Sequence, residues 1–286
     1  MRVQRHTIVF TALVVGVILV LELASPGPSA QLRMLAPLVA VLGLPHGALD
    51  FEIARALFPL PTGKAAARFV AVYLGATAAM LGFWLIAPGL ALAAFLAYSA
   101  LHFSDDWTVS ANGWAAIPGG LLAVALPVAA HLHHVTELFA FLAPANSASM
   151  VARGTAVVGW IAIPLALVAA RRQSNNARAE WAALAVSAIV LPPLLHFAVY
   201  FCGLHSPRHF RNATRSIGFS TATGIRAALL PTVATLLACL AAALLIVKQN
   251  VNVDATLMRT VFVGLACLTV PHMLLVDRLT RQRSTG

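Results

Sequence analysis

Histidine is the residue type in this chain with both the chemistry and the spacing to do more than pack. His46 lies in GLPHGALDFE, and Asp50 follows four residues on, so a helix puts the two on one face. His102 lies in YSALHFSDDW, with Asp105 and Asp106 just after it. HFAVYFCGLHSPRH carries His196 and Tyr200 four apart, then His205 and His209 four apart. His272 lies in TVPHMLLVD, with Asp277 five residues on. Neutral imidazole adds no charge when buried and is a strong ligand for iron, zinc or copper. A ligating imidazole commonly donates its other N–H to a carboxylate, and Asp50 has the spacing to serve His46 in that way. The pair His205 and His209 forms H-x-x-x-H, which can set two rings on one side of a helix. Each motif alone also reads as a polar cluster at a helix end. Together they read as a metal site.

Pro207 leaves two local readings open. Inside a continuous helix its ring meets the Gly203 carbonyl and kinks the chain. Alternatively Ser206 caps a new helix that has Pro207 at its first position. His272 can be a ligand, a partner of a ligand or a pocket wall. His131, His133 and His134 form HLHH, which reads as a solvated loop.

The elements that must hold these residues are membrane helices. The chain has 286 residues, of which 60% are hydrophobic and 10% charged, with a mean hydropathy of +0.87. Soluble domains carry about 25% charged residues. Apolar runs recur along nearly the whole length and no β-barrel alternation appears. The expectation is therefore an all-α polytopic bundle forming one unit over residues 1–286. Runs at 8–24, 34–58, 67–87, 89–104, 114–131, 152–170, 181–204, 226–247 and 257–276 give roughly nine spans of about 20 residues. The formal net charge of +10 fits basic loops against anionic headgroups, including Arg208 and Arg211, rather than nucleic acid. The three cysteines lie inside apolar runs and read as core. Arginines flank the segment 181–204 on both sides, so membrane orientation stays open.

PHGALD, HFSDDW, HFAVYFCGLHSPRH and PHMLLVD, in this order on a polytopic helical chain, resemble the Brp/Blh family of membrane β-carotene 15,15′-dioxygenases. The resemblance runs from about Gly43 to Asp277. It implies a multi-pass inner-membrane enzyme with Fe(II) that cleaves β-carotene with O₂ into two retinals. It also implies a functional link to a retinal-binding opsin. Carried over by position, the iron ligands are His46, His102, His205 and His209, with Asp50, His196, Tyr200 and His272 around the site. An uncharged C40 substrate then asks for an apolar slot, with Phe103, Trp107, Phe197 and Phe201 as wall residues. On this reading Asp50 matters more than Asp106, because Asp50 is the partner expected for His46. Three other readings are a di-iron hydroxylase, a transporter and a carotenoid-binding opsin accessory protein. The first wants more H-x-x-x-H and H-x-x-H-H clusters than the chain has, and the second an internal repeat that is not seen.

Overall fold

The computed structural model describes residues 4–58, 60, 62–110, 113–249 and 251–284, and the side chains at 46, 108–110 and 279–284 lie outside that description. All regular structure among the described residues is helical. Helix α1 spans Arg5–Leu23, and α2 spans Pro28–Leu38. The chain then runs without a break through a π-turn at Val39–Gly43 and a 3₁₀ segment at Leu44–Leu49 into α3, Asp50–Leu57. Helices α4 (Gly63–Ile86) and α5 (Pro88–Ser104) lead to a 3₁₀ turn at Asp105–Ser110. Short helices α6 (Ile117–Val124), α7 (Leu126–Ala130) and α8 (Leu132–Ala140) precede the long α9, Ala145–Ala169. Then come α10 (Asn175–Val190), α11 (Pro193–Tyr200), a π-turn at Phe201–His205 and α12 (Ser206–Ser216). Helices α13 (Thr221–Val247) and α14 (Val253–Met258), a third π-turn and α15 (Gly264–Ser284) complete the fold.

Local chemistry sets the starts. Thr62, Ser174 and Ser220 each accept a hydrogen bond from the third backbone N–H beyond them, and Asn252 does the same from Ala255. Pro88 and Pro193 sit at first-turn positions, where a missing N–H is harmless.

Six helical runs among the described residues are long and apolar enough to cross a membrane: Arg5–Leu23, Pro28–Leu57, Gly63–Ile86, Ala145–Arg172, Thr221–Val247 and Val253–Arg278. The other three expected spans are shorter pieces. Helix α5 has 17 residues. The run 114–131 divides at Ala125, just before the proline-bearing α7. The run 181–204 divides at Leu191, whose ψ of 143° is extended. Pro192 follows at once, and a residue before proline is disfavoured in helical conformation. The expected span at 34–58 is a single run, but its centre changes helical pitch twice around PHGALD.

The π-turns answer the question posed by Pro207. The helical backbone runs on through Pro207, with His205 and Ser206 both in the right-handed helical region. Ser206 N–H bonds the Phe201 carbonyl five residues back, widening the turn immediately before the proline. Leu44 N–H bonds the Val39 carbonyl in the same way, immediately before Pro45. Each extra residue lets the helix continue past a ring that cannot donate. The Ser206 hydroxyl donates to the Leu42 carbonyl, and the Gly43 carbonyl lies 3.2 Å from the same oxygen. The two proline-containing histidine motifs are thereby pinned together.

Close backbone approach holds the rest of the bundle. The buried stripe of α9 is Ala148, Ala152, Ala156, Gly159, Ala162, Ala166 and Ala169, small enough to let α7 and α8 pack tightly on it. At the α5–α6 crossing a Cβ on Gly120 would lie 1.8 Å from the Ala100 carbonyl oxygen. Gly120→Ala should therefore lower stability in detergent by about 1–3 kcal/mol through overpacking. Gly154→Ala meets nothing within 4 Å and should hold or raise stability, because alanine is the better helix former by about 1 kcal/mol. Thermal unfolding of the two variants side by side checks the crossing.

Candidate metal centre and its cavity

Three helical segments deliver histidines to one place. His102 ends α5, His209 lies in the first turns of α12, and His272 lies within α15 just after Pro271. One ring nitrogen from each lies within 4.8 Å of the others. A fourth ring belongs to the group: the His205 centroid is 4.8 Å from that of His102 and 5.8 Å from that of His209. His102, His205 and His272 are all buried. The backbone of His46 forms part of the 3₁₀ segment at Leu44–Leu49, but its imidazole lies outside the described residues. Ligand nitrogens about 2.0–2.1 Å from a shared ion lie at most about 4.2 Å apart, so this set of neutral imidazoles, within 4.8 Å, would close on one divalent ion by a small inward shift of the rings.

Two of the rings are oriented by carboxylates in the same fashion. His272 Nδ1–H donates to Asp50 Oδ1 at 2.7 Å, and Tyr73 from α4 donates to Asp50 Oδ2 at 2.8 Å. His205 Nδ1–H donates to Asp106 Oδ2 at 3.1 Å, and the same oxygen accepts from Tyr200 at 2.8 Å. Each arrangement is tyrosine, aspartate, histidine. Donation from Nδ1 fixes the tautomer in which Nε2 carries the lone pair. Burial pushes the Asp106 carboxyl up, but the His205 and Arg208 side chains pull harder the other way, so it sits below the usual carboxylate range.

Among the described residues Asp50 pairs with His272, while the imidazole of its expected partner, His46, lies outside them. Asp50 and His272 are 222 apart in the chain. Asp106, read from sequence as the lesser of the two aspartates, holds His205. Arg208, expected to face headgroups, has its guanidinium engaged within the protein. Its Nη1 donates to the Asp106 carbonyl at 3.0 Å, and its Nη2 to Glu180 Oε1 at 2.7 Å. Glu180 and Tyr73 were invisible as site residues. The available signal was weak: an acid and a tyrosine, each inside or beside a long apolar run.

The cluster opens on an apolar cavity of about 290 Å³ whose walls include His102 and His272. Phe103, Phe197 and Phe201 line it as expected, with Phe69 and Phe139 added from α4 and α8. Trp107 does not line it. That indole is fully buried, stacks on Tyr200 and donates its N–H to Glu180 at 2.9 Å. A polar N–H in an apolar bundle needs an acceptor, which decides its place. Tyr200, His205 and His209 are likewise outside the wall. His196 is in the wall but apart from the histidine cluster's chemistry: its Nε2–H donates to the Ala123 carbonyl and its Nδ1 faces Ser187 Oγ, both at 3.0 Å. His131 and His133 flank or begin α8, and exposed His133 pairs with Glu137. His196→Leu should cost about 1–3 kcal/mol of stability, because it leaves a buried carbonyl and hydroxyl without their partner. Chemical unfolding in detergent measures it.

Comparison with known proteins supplies the family. A family model described as "Beta-carotene 15,15'-dioxygenase" matches residues 37–280. A relative from uncultured marine bacterium 66A03, named "Beta-carotene 15,15'-dioxygenase", is 29% identical over 266 residues, covering 87% of this chain and 94% of its own length. A relative from Halobacterium salinarum, named "Probable beta-carotene 15,15'-dioxygenase Blh", is 28% identical over 250 residues, covering 73% of this chain and 71% of its own. No solved structure matches. The family match takes in every histidine of the cluster and both aspartates that orient them, and the chain belongs to the Brp/Blh family of β-carotene 15,15′-dioxygenases.

Proposed function

We propose that this chain is a multi-pass inner-membrane dioxygenase that uses Fe(II) to cleave β-carotene at its 15,15′ double bond. One O₂ is consumed and its two oxygen atoms end in two all-trans-retinal aldehydes. The observation that carries the reading is that His102 and His272 stand in the wall of a largely apolar cavity. No lysine or arginine lines that cavity among the described residues, and its one carboxylate, Asp50, is engaged by His272 and Tyr73. Such a lining suits an uncharged hydrocarbon and offers a charged substrate nothing.

The ion is held by His102, His209 and His272, whose donors converge, with His205 beside them. His46, carried over from the family motif, supplies a further donor. Bound Fe(II) supplies the redox chemistry by which O₂ reacts with a polyene. Everything else is the work of this chain. Asp50 and Asp106 keep the Nδ1 protons of His272 and His205 in place, so that both rings bind as neutral ligands. Phe103, Phe197 and Phe201 set the polyene's register by shape, since it has no group to hydrogen-bond. Phe197 and Phe201 stack with centroids 5.0 Å apart and make a flat surface for it. The closed apolar wall keeps water from the reacting carbons. The membrane delivers the substrate, which is about as long as the ~30 Å hydrocarbon core. Helix α5 and the broken runs at 114–131 and 181–204 bring the crossings to nine. A retinal-binding opsin is the natural consumer of the product.

The direct test is expression in bacterial cells that make β-carotene, followed by chromatography of the pigments. Retinal with loss of β-carotene is expected, and an iron chelator should abolish it. Unchanged carotenoid with folded, iron-supplied protein would sink the reading in favour of a carotenoid-binding accessory protein or a transporter. Apocarotenals of other lengths would keep the chemistry and move the register. Asp50→Asn and Asp106→Asn should each cut turnover about 10–100-fold, because each leaves an imidazole unoriented. Unequal losses, with one variant near wild type, would remove that aspartate from the site.

A further inference from the structure

Glu180 is a third buried carboxylate, and neither tyrosine–aspartate–histidine set uses it. It lies in α10, its side chain is 2% exposed, and donors from three other segments meet it. Oε1 accepts from Arg208 Nη2 and from Thr7 Oγ1, both at 2.7 Å. Oε2 accepts from Trp107 Nε1 at 2.9 Å. His6 Nε2 lies 3.5 Å from Oε1. We infer that Glu180 is a positioning residue for the histidine centre: it cancels the charge of Arg208 and holds the Asp105–Ser110 turn so that Asp106 meets His205.

The argument begins with Arg208. It is the residue before His209, and its guanidinium touches the backbone of Asp106, the aspartate that holds His205. A full positive charge therefore sits at the edge of a cluster of neutral imidazoles. Left uncompensated in a low-dielectric bundle, that charge disfavours any second cation nearby. Glu180 makes the Arg208 site neutral without placing a carboxylate among the ligands. Its remaining bonds do a second job. Trp107 adjoins Asp106 in sequence, so Glu180 grips the turn through Trp107 directly and through Arg208 on the Asp106 carbonyl. Both holds fall at the Asp106–Trp107 peptide, and both lead back to one carboxylate. Stability alone is a poor reason for such a pair, because well-packed apolar residues usually do as well as a buried ion pair. Charge neutrality beside a cation site is a specific reason.

The inference rests on the reading that the histidines hold a divalent ion, and the test separates the two. Co(II) is titrated into the purified full-length chain in detergent, in competition with a chromophoric chelator, and its ligand-field spectrum is followed. Glu180→Gln should weaken Co(II) binding about tenfold or more. The double variant Glu180→Gln/Arg208→Gln removes both charges and should bind Co(II) more tightly than Glu180→Gln, recovering the part of the loss that the unbalanced charge causes. If the single variant does not fold, a double variant that binds more than about tenfold weaker than wild type overturns the charge role. Glu180→Asp keeps the charge and should resemble wild type. Wild-type affinity in Glu180→Gln would overturn the inference, and so would a double variant as weak as the single one. A wild-type chain that binds no Co(II) at the histidines would defeat the metal reading itself, and this inference with it.

Discussion

The constraint on which this structure depends is that imidazoles buried in an apolar bundle need both nitrogens assigned. Water cannot serve them, and an unpaired polar atom there is expensive. The chain meets the need twice with the same device. Asp50 takes a proton-bearing nitrogen from His272 and a hydroxyl from Tyr73. Asp106 takes the same pair from His205 and Tyr200. Each carboxylate has two donors, so its own burial is compensated and each ring is held in one tautomer. A ring free to rotate would ligate poorly, and a protonated one would not ligate at all.

That device needs backbones which do not follow the ordinary helical pitch. Consecutive turns of a regular helix would carry Pro45 and Pro207 into the carbonyls four residues before them. The π-turns at Val39–Gly43 and Phe201–His205 insert the residue that avoids this. They also bring Ser206 against the Leu42 and Gly43 carbonyls, both within hydrogen-bonding reach of its hydroxyl. Gly43 allows the contact on its other side: a Cβ there would lie 2.6 Å from the Phe201 ring. Prolines in these motifs thus set where the histidines point, and the widened turns keep the helices whole.

Charge is managed in layers around this centre. The cavity wall is apolar apart from a few groups that are already engaged, which suits a hydrocarbon. The carboxylates sit one bond away from the rings and keep the ligands neutral. Farther out, Glu180 answers Arg208, the basic side chain that reaches the Asp106 backbone. Much of the chain's excess of basic residues lies on exposed positions such as Arg55 and Arg211.

The sequence by itself determined the class of protein. A chain 60% apolar and 10% charged cannot fold as a soluble domain, and satisfying backbone groups in lipid demands helices. The cluster histidines, their H-x-x-x-H pair and Phe103, Phe197 and Phe201 were legible because local spacing and residue type carry that information. Tertiary structure alone decided who pairs with whom. Asp50 serves His272 across 222 residues, and Asp106 serves His205 across 99. Glu180 and Tyr73 had no motif to mark them. Trp107 left the cavity wall because its N–H required a buried acceptor. Hydrogen-bond satisfaction is settled by which groups the packed helices bring within 3 Å, and no periodicity in the chain encodes that.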